Sequence, residues 1–98
     1  MTTPSTRNVI VQYRVRPEHA AENERLIRAV FAELAEVRPA GVDYRVFVQP
    51  DGVSFVHIAQ ITGENRLTAL PAFQAFLADH KTRAETAPVT TELRQIGT

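Results

Sequence analysis

Val42-Asp43-Tyr44-Arg45-Val46-Phe47-Val48-Gln49-Pro50-Asp51-Gly52-Val53-Ser54-Phe55-Val56-His57-Ile58-Ala59-Gln60-Ile61 is the stretch that decides the fold. Val42, Tyr44, Val46 and Val48 alternate with Asp43, Arg45, Phe47 and Gln49, the period of two that a half-buried strand requires. Asp51-Gly52 is a tight-turn pair, so this strand and the next, Val53 to Ile61, are predicted to form a β-hairpin. The second strand of the hairpin is apolar in both of its rows. A sheet covered by helices on one side only carries polar residues on the other, so both faces of this strand are expected to be covered.

Upstream, Val9, Val11, Tyr13 and Val15 alternate with Asn8, Ile10, Gln12 and Arg14 as a first strand. Pro17 then stands at a favourable first-turn position, and Leu26, Ile27, Val30, Leu34 and Val37 recur at helical spacing. A helix from about Pro17 to Val37 is predicted, with Glu24 and Arg28 paired on its wet side, and Arg38-Pro39-Ala40-Gly41 as its stop. Downstream, Pro71 opens a helix reaching His80 or slightly beyond, and Val89 to Ile96 alternates as a fourth strand.

The order strand, helix, strand, strand, helix, strand gives two split βαβ halves. Right-handed crossovers then leave an α+β, ferredoxin-like βαββαβ fold: a four-stranded antiparallel sheet with both helices on one face. The chain has 98 residues, enough for one domain, placed at residues 8–98 behind a frayed tail at residues 1–7. The helix-free face of the sheet is expected to meet another copy, sheet against sheet, in a homodimer.

Eleven basic and eleven acidic residues cancel, so no field draws the protein to nucleic acid or to an anionic membrane. No cysteine occurs, which removes disulfides, thiolate nucleophiles and thiolate metal sites. No signal-like start and no membrane-length apolar run is present, and a cytoplasmic location is expected. The four glycines are scattered at element ends and form no phosphate loop, and no serine sits in a nucleophile elbow. No close metal-ligand spacing such as His-x-x-x-His exists, so no metal site is expected.

The residues that remain for chemistry are few. His57 lies inside the most apolar strand, and imidazole titrates near neutrality, which makes it a candidate base. Phe73, Phe76, Leu77 and His80 fall on one helical face, so His80 points inward or at the rim. If Phe55, His57 and Ala59 form the helix-facing row, His57 and His80 would line one cavity with Tyr13 and Tyr44. Such a pocket suits a small aromatic ligand, with His57 and His80 as catalytic candidates and Tyr13, Tyr44, Phe55, Phe73 and Phe76 as its contacts. The plainer readings stay open beside this one: His57 as a satisfied core histidine, His80 as a partner of the helix C-terminal dipole, and the tyrosines as packing. Asp79-His80-Lys81-Thr82-Arg83 reads as a solvated helix end, and His19 as exposed.

Three segments carry a family likeness: Arg16-Pro17-Glu18 entering the first helix, Asp51-Gly52-Val53-Ser54-Phe55-Val56-His57, and Phe73-Gln74-Ala75-Phe76-Leu77-Ala78-Asp79-His80. With them the chain, from Val9 to Gly97, resembles the antibiotic biosynthesis monooxygenase-like group of the dimeric α+β barrel superfamily. The resemblance implies a homodimer whose sheets face each other, and an enzyme of the cofactor-independent kind acting on phenols or quinols. In that case His57 or His80 would be the base, and Tyr13 or Tyr44 would orient the substrate. The alternative is a non-catalytic ligand-binding or stress-related barrel with structural histidines. A haem-degrading branch shares a histidine four residues after a phenylalanine, here Phe76 and His80, but presses on haem with a tryptophan, and this chain has none.

Overall fold

The computed structural model describes residues 5–98. Strand β1 (Thr6–Arg14) leads through a 3-10 turn (Pro17–His19) into helix α1 (Ala20–Val37). The hairpin of β2 (Val42–Val48) and β3 (Ser54–Thr62) follows, then helix α2 (Pro71–Ala78), the single-turn helix α3 (His80–Arg83) and strand β4 (Val89–Leu93). The sheet runs β2-β3-β1-β4, all neighbours antiparallel, which is the ferredoxin-like arrangement. Among the described residues no helix is long and apolar enough to cross a membrane.

The expected boundaries shift in four places. Thr6 and Arg7 already pair with Thr62 and Ile61, so of the predicted frayed tail only residues 1–4 fall outside the described residues. The first helical turn is 3-10, because Pro17 fixes the entry and the α-pattern begins only at Ala20. The second helix breaks at Asp79, whose φ of −115° and ψ of 21° lie outside the helical region, and the chain restarts as α3. The ladder of β4 with β1 stops at Leu93 opposite Asn8, so the predicted strand end at Ile96 is exposed chain.

Within the predicted stop Arg38-Pro39-Ala40-Gly41, it is Arg38 that ends α1. Arg38 takes the left-handed conformation (φ 49°), and its N–H donates to the Leu34 carbonyl at 2.9 Å. Gly41 has a different task. Thr62 N–H donates to its carbonyl at 2.8 Å, and a Cβ at Gly41 would lie 2.3 Å from the Thr62 carbonyl oxygen. Only glycine tolerates that approach of β2 to the end of β3, and its φ of 77° adds to the requirement. In the hairpin, the Asp51 carboxylate accepts from the Val53 and Ser54 N–H groups, both at 2.9 Å, while Gly52 turns the chain at φ 76°.

The register decides which row of each strand meets the helices. Val11, His57 and Val46 lie side by side across β1, β3 and β2, and so do Tyr13, Phe55 and Val48. This face packs under α1 and α2, with Tyr13, Phe55, Ile61, Ile27, Val30 and Phe76 in the core. The opposite face carries Ile10, Gln12, Val56, Ile58, Arg45 and Phe47. It has no helix over it, and Phe47 is 52% exposed there.

Candidate active site

His57 stands at the centre of the helix-facing row of β3, and its neighbours are set by pairing. The residue opposite Tyr13 is Phe55, and the residue opposite Tyr44 is Ala59. The two tyrosines are therefore diagonal neighbours of His57, one from each flanking strand and towards opposite ends of the strand, a separation that long side chains bridge. Each reaches one ring nitrogen. The Tyr13 hydroxyl lies 2.7 Å from Nε2, and the Tyr44 hydroxyl bonds to Nδ1.

The chain of contacts continues behind Tyr13. Asn23 of α1 donates its Nδ2–H to the Tyr13 oxygen at 2.9 Å, and Arg83 of α3 donates from Nε to Asn23 Oδ1 at 3.1 Å. A second Arg83 nitrogen donates to the Phe76 carbonyl at 2.6 Å, and the guanidinium lies 5.3 Å from the Phe76 ring centroid. Arg83 is 3% exposed and Asn23 fully buried, so the expectation of a solvated end at residues 79–83 is wrong for Arg83. The break at Asp79 turns α3 back toward the core and carries the guanidinium inside, where a carbonyl, an amide oxygen and an aromatic face replace water.

Tyr13, Tyr44, His57 and His80 border one cavity of about 360 Å³, walled by Val9, Val11, Ala59, Ile61, Leu67, Phe73, Phe76 and Leu77. That volume lies near the small end of the range of ligand sites, roughly 300–1,000 Å³. Thr90 of β4 and the Arg7 side chain add polar groups to the lining. The expected contacts Phe73 and Phe76 are on the wall, but Phe55 is not. Phe55 lies stacked on Tyr13, with ring centroids 5.7 Å apart, and supports that ring from outside the cavity. Directly opposite in the register, the two rings pack against each other, and Tyr13 takes the cavity-lining position.

The two histidines differ sharply. His57 has both nitrogens engaged, and burial, reinforced by the nearby His80, pushes its pKa down to about 4. It is neutral at pH 7, and its lone pair faces a tyrosine hydroxyl rather than the open cavity. His80 lines the cavity edge-on to Tyr13, with ring centroids 4.4 Å apart, and among the described residues its ring meets no hydrogen-bond partner. Burial, with the Arg83 charge, also lowers its pKa below the ordinary value. Burial raises the Tyr13 hydroxyl to about 12, against the opposing pull of the Asn23 bond and the Arg83 charge. Burial likewise holds the Tyr44 hydroxyl well above its ordinary range. Among the described residues no three His, Cys, Asp or Glu side chains gather as a metal site would require.

Sequence reasoning missed Asn23 and Arg83. Asn23 had a signal: it lies four residues before Ile27 and seven before Val30, a polar side chain within the apolar stripe of α1.

Solved structures of the same architecture exist at low sequence identity. Rv0793 from Mycobacterium tuberculosis superposes with a TM-score of 0.76 at 17% identity, covering 96% of this chain and 98% of that one. A protein named antibiotic biosynthesis monooxygenase gives 0.71 at 18% identity, over 93% and 99%. The chain shares the antibiotic biosynthesis monooxygenase fold. A point mutant of SnoaB, a cofactor-independent oxygenase from Streptomyces nogalater, gives 0.69 at 19% identity over 95% of each chain. No family model and no curated protein matches the sequence. The resemblance read from the three sequence segments thus holds at the level of the antibiotic biosynthesis monooxygenase fold.

Proposed function

We propose that the protein is a cofactor-independent monooxygenase of a small hydroxyarene, a phenol or quinol. The observation that carries this reading is His80: an imidazole without a hydrogen-bond partner among the described residues, at the wall of an apolar cavity that also presents tyrosine hydroxyls. In such a site the substrate supplies the electrons. His80 accepts the hydroxyl proton, and the resulting electron-rich anion gives an electron pair to dioxygen. A carbon–oxygen bond forms at a ring C–H carbon, and loss of water from the peroxide leaves a quinone. One oxygen atom stays in the product, and the other leaves as water. The apolar walls exclude solvent from the anion, while the buried Arg83 cation behind them favours negative charge in this region.

The likeness in fold to SnoaB, a cofactor-independent oxygenase, supports the reading. The test is oxygen uptake with a panel of hydroquinols. His80→Ala is expected to lower turnover about a hundredfold, as loss of a general base does. Activity is expected to fall as pH drops through a midpoint below 6.5, because only neutral His80 accepts a proton and its pKa is lowered. Unchanged turnover in His80→Ala sinks the assignment.

The full satisfaction of both His57 nitrogens favours a second reading, a ligand-binding barrel without catalysis. Tight binding of quinols with no oxygen uptake by the unaltered protein would select it. We also infer a homodimer in which the helix-free sheet faces meet, supported by Phe47, Ile58 and Leu93 exposed on that face.

A further inference from the structure

We infer that Arg83 and Asn23 are positioning residues that set the direction of every proton in the Tyr13–His57–Tyr44 chain, and thereby make the Tyr44 hydroxyl the donor offered to a ligand oxygen. The argument starts from the one member whose polarity is fixed by chemistry. Arginine carries only donors, so the Asn23 atom that faces Arg83 Nε at 3.1 Å is the amide oxygen. The Asn23 NH2 group consequently faces Tyr13, and donates to its oxygen at 2.9 Å. An amide whose two ends are otherwise hard to tell apart is oriented by a neighbour that cannot accept.

Two proton orders remain beyond Tyr13, because a neutral imidazole donates from one nitrogen and accepts at the other. In the first, Tyr13 donates to His57 Nε2, and Nδ1–H donates to the Tyr44 oxygen. Every bond from Arg83 to Tyr44 then points the same way, and bonds in such a chain polarise and strengthen one another. In the second, Tyr44 donates to Nδ1 and Nε2–H donates to Tyr13. The Tyr13 oxygen must then accept from both Asn23 and His57, and two donor runs collide head to head on one hydroxyl. The first order is favoured, and in it the Tyr44 O–H proton has no taker within the chain. Tyr44 lines the cavity, so that proton is available to a bound carbonyl or hydroxyl oxygen. This last step rests on the proposed hydroxyarene reading, whereas the proton order does not.

Histidine 15N NMR at pH 7 reads the order directly, since protonated and bare ring nitrogens resonate far apart. The unaltered protein is expected to show His57 protonated at Nδ1. Asn23→Asp is the decisive variant: a carboxylate only accepts, so Tyr13 must donate to it, Nε2–H must then donate to Tyr13, and Tyr44 must donate to Nδ1. The expected result is a switch of tautomer to Nε2–H, a signature that loss of packing alone does not produce. That reversal also leaves no free hydroxyl proton, so 1,4-naphthoquinone, which only accepts, is expected to bind about tenfold more weakly to Asn23→Asp and to Tyr44→Phe. An Nε2–H tautomer in the unaltered protein overturns the inference without any variant, and so does an unchanged tautomer in folded Asn23→Asp. Failure of the unaltered protein to bind the quinone would instead overturn the hydroxyarene reading, with the tautomer still deciding the proton order.

Discussion

The two faces of β3 are built from similar residues and end in opposite situations. On one, Phe55, His57 and Ile61 lie under α1 and α2, and among the described residues no buried side-chain nitrogen or oxygen lacks a hydrogen-bond partner. On the other, Val56 and Ile58 stand beside Phe47 with no helix above them, and Leu93 is 41% exposed at the far edge. The difference teaches how the molecule divides its tasks. The covered face holds a chain of donors and acceptors rigid by burying it, because buried polar groups without partners are costly. The uncovered face offers apolar side chains to which only a further surface adds anything.

The largest effect is expected on the uncovered face. Sedimentation at micromolar concentration should give a dimer, and Phe47→Glu combined with Ile58→Glu should give a monomer, because charges would be forced into an apolar seam. A monomer before any substitution would break the contrast between the faces.

On the covered face the sharpest handle is pH. Folded His57 titrates at about 4 and the unfolded residue at 6.5, so between these values the unfolded chain binds more protons and stability rises with pH. The contribution is fully present above about pH 6.5 and lost on descending to about 4, an expected cost of about 3 kcal/mol. Urea unfolding at both ends of the window should show it, and His57→Gln should flatten the slope. An equal slope in that variant would mean that His57 is not the group held neutral.

The smallest effect belongs to the rim, where Arg7 and Glu92 pair at 3.3 Å with both side chains more than half exposed. Arg7→Ala should change the unfolding free energy by no more than about 1 kcal/mol. A larger loss would show the rim to be part of the covered region rather than its solvated border.

How much of this was legible beforehand varies along the chain. The alternation in β2 and the Asp51-Gly52 turn placed the hairpin of β2 and β3 within one residue, because those signals are local. His57 was conspicuous for the same reason, a titratable ring in an apolar run. Its actual partners, one tyrosine at each ring nitrogen, follow from diagonal registry across three strands, which no single strand displays. Arg83 was misread because a charged helix end is solvated unless the chain turns it inward, and the turn at Asp79 leaves no glycine or proline to announce it.

The sequence by itself determined the element order, the antiparallel hairpin, the zero net charge and cysteine-free character of the chain, and the short roster of histidines and tyrosines available for chemistry. These depend on periodicity and composition, which are carried by neighbouring residues. Only the tertiary structure decided which row of β3 faces the helices, that His57 is bound at both nitrogens while His80 meets no hydrogen-bond partner among the described residues, and that Asn23 and Arg83 stand behind Tyr13. The physical reason is that both rows of β3 are apolar, so local pattern is degenerate there. The choice falls to the pairing of distant strands and to the helices that close over one face, which together set the partners and the hydration of each buried group.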